Sequence, residues 1–242
     1  RGLGDVYKRQ GTKFVRGMLE DSRPQTFSDL VRISGFSHGT NVWLDNAQDL
    51  IKNGTCKLNE AISTRDDVMN FLIHRGMDRK HSFFVMENVR KGKGIEKRNK
   101  QGQATTEFEA EMRENNIPEW FIESCKKISY LFPRAHAVAY VMMAFRIAWF
   151  KVYHPLAFYA AYFSIRAKAF DLRIMTGGLK TQLTEFNRIK ALDRAASPKD
   201  KDLMSALEVS MEMYQRGYRF INVDIQHSEA VSYTHLRAHE TP

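Results

Sequence analysis

Apolar residues return every three or four positions along most of the chain, which is the spacing of amphipathic helices. The clearest case covers residues 64–75, where Gly76 follows as a stop signal. Ser63 and Asp66 have the spacing of a capping box at its start. The same reasoning predicts helices over residues 41–51, 81–90, 107–115, 119–129, 134–154, 156–168, 173–192 and 197–216.

Two segments break this pattern. Residues 94–106 are polar and contain glycine, which is typical of a mobile loop. Residues 219–225 alternate enough between apolar and polar side chains to predict a short strand. The predicted fold class is therefore mainly α, with many helices and one short β element near the C-terminus.

Both ends of the chain lack a periodic pattern. Residues 1–10 and 231–242 resemble translated sequencing-adapter read-through, and we interpret both segments as non-native. The chain has a net charge of +9, and setting these ends aside removes +2 and leaves +7. The body of the chain is therefore basic with or without its ends.

The composition fits a globular, cytoplasmic protein. With 242 residues and 43% hydrophobic content, the chain can bury one large core or two small ones. Cys56 and Cys125 lack a second thiol or histidine at metal-ligand spacing, which favours a reducing compartment. The apolar run 137–145 ends at Arg146, well short of the roughly 20 residues that a membrane span needs, so we expect no membrane segment.

The basic charge favours a polyanionic partner, such as nucleic acid or an anionic membrane surface, although ordinary solvated lysines are a simpler alternative. Residues 126–170 contain no Asp or Glu, whereas seven cations are interleaved with twelve aromatic residues. Such a mixture is typical of nucleic-acid channels. We take Lys126, Lys127, Arg146 and Lys151 as candidate DNA-binding residues.

A segment rich in glycine and hydroxyl groups, Ser34–Asn41, ends where a helix is predicted to begin. Backbone N–H groups at a helix start are suited to bind phosphate oxygens, and the Ser37 hydroxyl and His38 lie beside them in sequence. A helix cap with a glycine turn explains the same residues without any ligand.

A second segment, Tyr130–Ala137, opens the predicted helix 134–154. Arg134 lies in its first turn, where the helix dipole adds to the charge of the side chain and favours an anion such as a triphosphate. His136 and Tyr140 share a helical face that can contact phosphate and stack on a base. The alternative is an amphipathic core helix whose histidine and tyrosine make buried hydrogen bonds.

Sequence motifs of other chemistries are missing: a nucleophile elbow, a Walker phosphate loop and a zinc-protease helix. The carboxylates of Asp66 and Asp67, and of Glu109 and Glu111, fit helix starts and surface charges better than catalytic pairs. We therefore predict no self-contained active site.

Four segments follow one another in a familiar order: Ile33–Leu44 (ISGFSHGTNVWL), Arg65–Asp67, Phe108–Arg113 (FEAEMR) and Phe132–Ala137 (FPRAHA). In this order they resemble the PolC-type alpha subunits of bacterial DNA polymerase III. The likeness covers about residues 13–228.

The resemblance implies the multi-helix fingers region of a C-family DNA polymerase over residues 11–170, and a helical link toward the duplex-binding region over residues 171–230. The parent would be a DNA-directed DNA polymerase that adds dNTPs to a primer 3′ end. Its Mg²⁺ ligands belong to a palm outside this chain, so we expect no catalytic or metal-binding residue here and no activity of the chain alone. The implied partners are primer–template DNA, dNTP and, through regions outside the chain, the sliding clamp and replisome, in the cytoplasm and without a membrane.

The resemblance also implies roles for single residues. The family's nucleotide-facing positions correspond to Ser37, His38, Phe132, Arg134, His136 and Tyr140, with Arg65 and Arg75 as further triphosphate contacts. The segment 96–105 is longer than the usual link in this family, which leaves its conformation open.

Two other interpretations stay open. A non-catalytic helical nucleic-acid-binding module would use the basic segment 126–170 for backbone contacts, with additive, salt-sensitive losses on substitution. A polymerase fragment would instead depend on Arg134 and His136 for nucleotide contact. A DnaE-type alpha subunit is a related possibility, although segments 37–40 and 132–136 favour the PolC type.

Overall fold

The computed structural model describes residues 13–221. Within this range the chain forms helices joined by turns, and no β-strand is present. The chain divides between residues 145 and 146 into two compact units. The prediction of a mainly α fold is confirmed, whereas the segments interpreted as non-native, 1–10 and 231–242, lie outside the described residues.

The described part of the first unit is built on helices that begin between residues 13 and 134. They are α1 (Lys13–Ser22), α2 (Phe27–His38), α3 (Gln48–Lys52), α4 (Arg65–His74), α5 (Arg79–Arg90), α6 (Phe108–Glu114), α7 (Glu119–Lys127) and α8 (Arg134–Tyr153). The second unit, as far as residue 221, begins with the last part of α8, from Arg146 onward, and continues with α9 (Pro155–Ala161), α10 (Leu172–Thr176), α11 (Gly178–Leu192) and α12 (Pro198–Gln215).

Helix α4 begins at a capping box, as predicted, but with different residues. Thr64 is the N-cap, and the Asp67 carboxylate accepts a hydrogen bond of 2.8 Å from the Thr64 backbone N–H. The predicted pair, Ser63 and Asp66, is therefore wrong by one position. Ser63 instead donates from both its N–H and its hydroxyl to the same carboxylate, at 3.0 and 2.7 Å.

The glycine-containing segment differs most from its prediction. Residues 34–38 form the end of α2 rather than a turn, and the predicted helix 41–51 is regular only over α3. Between them, Leu44, Asp45 and Asn46 have non-helical backbone angles. The Asn46 side-chain amide donates to the Asn41 carbonyl at 3.0 Å, and such side-chain bonds to the backbone compete with helix formation.

Smaller differences concern other predicted segments: the predicted helix 156–168 is α-helical only over Pro155–Ala161 and continues as a π-helical turn over Tyr162–Arg166. The segment 94–106 contains a hairpin-like turn in which the Thr105 N–H donates to the Lys97 carbonyl at 2.8 Å. The predicted helix 173–192 is divided into α10 and α11 at Gly177. The start of the predicted strand, residues 219–221, has no regular secondary structure, and its remainder lies outside the described residues.

Each unit has its own apolar core. The largest fully buried side chains of the first unit include Phe36, Leu72 and Phe121, which come from three different helices. In the second unit, Tyr159 and Leu207 are fully buried in a separate cluster. The two cores give each unit a basis for its own stability.

Helix α8 is long and apolar, yet few of its side chains are buried. Only Ala137 and Val141 are buried in this helix. Among the described residues, α8 is also the one helix that is long and apolar enough to cross a membrane by length and composition, with a mean hydropathy of 1.2. Because core helices of soluble proteins pass the same test, this is weak evidence for a membrane span, and its absence stays a prediction.

Candidate functional site

A short backbone pairing brings the two sequence motifs together. The Thr40 N–H donates to the Tyr130 carbonyl at 3.0 Å, and the Ser129 N–H donates back to the Thr40 carbonyl at 3.0 Å. Gly39 makes this approach possible, since a Cβ atom there would lie 2.8 Å from the Tyr130 carbonyl oxygen. The end of α2 therefore lies beside the start of α8.

Four aromatic rings meet at this junction, and we call them the ring cluster: His38, Phe132, His136 and Tyr140. The His136 ring stacks on Phe132 with centroids 4.7 Å apart and lies 4.3 Å from the Tyr140 ring. His38 approaches Tyr140 to 4.7 Å from the other helix. The structure thus joins four of the predicted nucleotide-facing residues in one surface.

Local hydrogen bonds fix the His38 ring. Its Nδ1 lies 2.7 Å from the Ser34 carbonyl oxygen. A carbonyl can only accept, so Nδ1 carries the proton and the ring is oriented by its own helix. The Ser37 hydroxyl also donates to the Ser34 carbonyl, at 2.9 Å, and Ser37 is buried. The predicted nucleotide contact of Ser37 therefore gains no support from its position.

The His136 ring is partly removed from water. Burial lowers the pKa of this imidazole below its ordinary value of 6.5. The ring is consequently neutral at neutral pH, so it offers a stacking surface and neutral hydrogen bonding rather than a positive charge.

This assignment gives a pH-dependent signal. The pKa of the ring is lower in the folded chain than in the unfolded chain. The neutral ring therefore contributes fully to stability at pH values above the unfolded pKa, and this contribution is lost as the pH falls toward the folded pKa. We expect the His136 imidazole resonances to titrate below pH 6.5 in the folded chain and near 6.5 in urea. NMR on histidine-labelled protein, with His136→Gln to assign the signal, measures both. Equal midpoints in the two states would contradict the burial of this ring.

The acidic end of α4 holds the start of α8. The Arg134 N–H donates to the Asp66 carboxylate at 2.6 Å, and the Arg65 N–H donates to the Phe132 carbonyl at 3.0 Å. The Arg134 guanidinium pairs with Asp67, while 45% of its side chain stays exposed. The predicted residues Arg65 and Arg134 thus lie next to the ring cluster.

Arg75 lies at the opposite end of α4 from Arg65. Its guanidinium lies over the Phe71 ring, 5.3 Å from the centroid, and donates to the Asn116 carbonyl at 3.2 Å. A helix of ten residues is about 15 Å long. The structure therefore does not bring Arg75 to the ring cluster, and its predicted triphosphate contact stays unsupported.

Three of the predicted DNA-binding cations make contacts that show what each one already binds within the chain: Lys126, Lys127 and Lys151. Lys126 pairs with Glu109 at 2.8 Å, and the Lys127 ammonium donates to the Asp45 carbonyl at 2.8 Å. In the second unit, the Lys151 ammonium lies 2.6 Å from the Glu212 carboxylate. Arg146 is exposed. Acids from other parts of the sequence thus balance several cations of the acid-free segment 126–170, which weakens the argument for an anionic ligand along it.

Two residues of this region were not predicted as site residues. Arg32, on α2, is directed toward Asp67, with 3.7 Å between its Nη2 and the carboxylate oxygen. Asp67 was interpreted as a simple helix-start charge. Its position at the third residue of α4 is a detectable signal for capping, but nothing in the sequence pattern indicates its two arginine partners.

The Mg²⁺ that the resemblance implies finds no suitable donor set in the described part of the chain. Residues 13–221 contain no group of three or more His, Cys, Asp or Glu side chains placed to hold a metal ion. The nearby carboxylates of Asp66 and Asp67 are engaged with Arg134 and the α4 cap. We therefore assign no metal ligand to the described residues.

Comparison with known proteins decides the family. Residues 10–116 match the bacterial DNA polymerase III alpha subunit finger domain. The DNA polymerase III PolC-type protein of Caldanaerobacter subterraneus is 56% identical over 220 residues, which are 91% of this chain and 15% of that protein. This chain belongs to the PolC-type DNA polymerase III family. The PolC-type proteins of Bacillus subtilis and Thermotoga maritima are 52% and 55% identical, over 92% and 91% of the chain.

The PolC-type assignment confirms the resemblance found in the sequence. The chain is a fingers-region segment that spans about 15% of the length of these relatives. The relatives carry the PolC-type name, as predicted, rather than that of a DnaE-type subunit. The predicted boundary between a fingers region, 11–170, and a helical link, 171–230, stays a prediction.

Proposed function

We propose that the parent of this chain is a replicative DNA-directed DNA polymerase and that this segment positions the incoming dNTP. The observation that supports the proposal is the ring cluster beside Arg134, assembled by the pairing of Thr40 with Tyr130. This arrangement offers stacking surface and positive charge side by side, which a nucleotide needs for its base and its phosphates.

The residues of this site have different proposed roles, which follow from their chemistry. Arg134 lies in the first turn of α8, where the helix dipole favours an anion, and a guanidinium has five N–H donors for phosphate oxygens. Phe132, neutral His136 and Tyr140 supply flat aromatic surface for the base or sugar. We propose Arg65 as a weaker phosphate contact, since Glu87 lies 4.0 Å from its guanidinium.

The remaining roles belong to the parent protein. We propose that Mg²⁺ is bound by carboxylates outside this chain and supplies the two-metal chemistry of nucleotidyl transfer. We also propose primer–template DNA, the sliding clamp and the replisome as partners, and a cytoplasmic location. Arg146 stays a candidate DNA contact. The intramolecular contacts of Lys126, Lys127 and Lys151 give no support to the alternative of a general nucleic-acid-binding module.

Primer extension by the full-length parent tests the nucleotide role. We expect Arg134→Ala to raise the KM for dNTP by about tenfold or more, equivalent to about 1.4 kcal/mol, with primer–template affinity little changed. His136→Ala should raise the same KM by a smaller factor. Arg188→Ala is a matched control, because Arg188 is an exposed arginine of the second unit that pairs with Glu185.

Two results would overturn this proposal. The first is an unchanged KM for dNTP in a stably folded Arg134→Ala enzyme. The second is a salt-dependent loss of primer–template affinity of equal size in Arg134→Ala and Arg188→Ala, which would indicate general electrostatic binding instead.

A further inference from the structure

The Asp67 carboxylate is buried and holds more hydrogen bonds than a helix cap requires. Only 7% of its side chain is exposed. Its Oδ2 accepts from the N–H and hydroxyl groups of both Ser63 and Thr64, at distances between 2.7 and 3.0 Å. Four donors from two adjacent residues fix the position and the plane of this carboxylate.

The second oxygen of Asp67 faces two arginines from other helices. Oδ1 accepts a hydrogen bond from Nη2 of Arg134 and lies 3.7 Å from Nη2 of Arg32. Arg32 is held from its other side by a 3.0 Å bond from Nη1 to the Ala61 carbonyl. Both arginines line a cavity of about 220 Å³, together with Ser28 and Ser63. One carboxylate therefore connects α2, α4 and α8 beside an open cavity.

Charge balance explains why these three groups occur together. Burial raises the pKa of the Asp67 carboxyl, but Arg32, the Ser63 hydroxyl, Arg134 and the Thr64 N–H together hold it below its ordinary value. Asp67 is therefore ionised at neutral pH. A buried carboxylate without cationic partners is costly, and two adjacent guanidinium groups without an anion repel each other.

Other capping boxes of the chain show that the cap alone does not demand this arrangement. Asp29 and Asp200 occupy the same third helical position after Thr26 and Ser197. Asp200 is at the surface, with 26% of its side chain exposed, and its nearest arginine contact is 3.4 Å long. The burial of Asp67 between two arginines is a separate feature that needs its own explanation.

We propose that Asp67 is a positioning residue, which holds the Arg134 guanidinium in the orientation that contacts the incoming triphosphate. Arg32 is the second cation that faces the Asp67 carboxylate. The inference rests on the nucleotide role proposed above. Asp67 itself touches no nucleotide. Arg134 uses Nη2 for Asp67, and a guanidinium has further N–H donors for an anion. A long side chain that is already held in its bound orientation loses less conformational entropy when the ligand binds, so binding is stronger.

A double-mutant cycle in the full-length parent separates positioning from simple support of the fold. Asp67→Asn keeps the size of the side chain and an acceptor oxygen but removes the charge. We expect it to raise the KM for dNTP by about five- to tenfold and to change kcat by less than about threefold. Adding Asp67→Asn to Arg134→Ala should raise KM by less than about twofold more, because Asp67 acts through Arg134.

Two further variants keep the test decisive if Asp67→Asn fails to fold. Ser63→Ala removes one donor from the Asp67 carboxylate and leaves both arginines in place, so a KM rise of about two- to threefold is expected only when Arg134 is present. Asp200→Asn removes the equivalent carboxylate of another capping box and should leave the KM for dNTP unchanged. Thermal unfolding of every variant shows which ones are folded at the assay temperature.

The outcomes distinguish this inference from the proposal on which it rests. If Arg134→Ala leaves KM unchanged, the nucleotide role of Arg134 fails. If Arg134→Ala raises KM but folded Asp67→Asn and Ser63→Ala do not, the positioning role of Asp67 is overturned. Multiplicative effects of Asp67→Asn and Arg134→Ala would likewise overturn it, because they indicate independent action.

Discussion

Replacing Phe121 by alanine should lower the free energy of unfolding by about 3–5 kcal/mol, the largest loss that we expect from a single substitution in this chain. Phe121 is 1% exposed and lies in the main cluster of the first unit. Its ring stacks on Phe71 with centroids 4.1 Å apart and an interplanar angle of 14°. Alanine would remove this contact and leave a cavity that surrounding helices cannot fully close.

Urea unfolding of the chain, followed by circular dichroism and tryptophan fluorescence, measures this loss. Phe83→Ala is the matched control, because the Phe83 side chain is 45% exposed in the same unit and its removal should cost less than about 1 kcal/mol. Equal losses for Phe121→Ala and Phe83→Ala would mean that Phe121 does not pack on Phe71 in the core of the first unit.

The helices that were predicted well are those whose signals are local. Helix α4 has a capping box and a following glycine, and α12 starts with Ser197 and Pro198, so sequence spacing determines both ends within one residue. Helix α2 was missed because Ser34 and Gly35 favour turns. Packing overrides that preference: a Cβ atom at Gly35 would lie 2.6 Å from the Ser63 carbonyl oxygen, so glycine allows α2 to approach the start of α4.

The site was predicted as two motifs but not as one surface. Periodicity placed His136 and Tyr140 on one helical face, which the ring contacts agree with. The pairing of Thr40 with Tyr130 joins residues 90 positions apart, and no local pattern contains that information. The same limit applies to the ion pair between Asp67 and Arg134, which lie 67 positions apart. Long-range contacts of this kind depend on tertiary packing.

Substitution of Gly39 should disturb this long-range pairing directly. We expect Gly39→Ala to destabilise the chain by about 1–3 kcal/mol, because the added Cβ would lie 2.8 Å from the Tyr130 carbonyl oxygen and also collide with the Val42 side chain. The Val42 side chain is β-branched and only 1% exposed, so it has little room to rotate away, and the Tyr130 backbone can yield only if the pairing with Thr40 opens. That movement would carry Phe132 away from the end of α2.

The effect of Gly39→Ala on function is measured in the full-length parent enzyme. Gly39→Ala should raise the KM for dNTP by about tenfold, because it separates His38 from Phe132, His136 and Tyr140. Gly17→Ala is a stringent control: it makes the same chemical change inside α1, where the new Cβ would have no atom within 4 Å apart from its chain neighbours and the backbone of its own helix. It should stabilise the chain by about 0.5–1 kcal/mol and leave KM unchanged. A Gly39→Ala enzyme with normal stability and normal KM would show that the pairing of residues 40 and 130 does not assemble the nucleotide site.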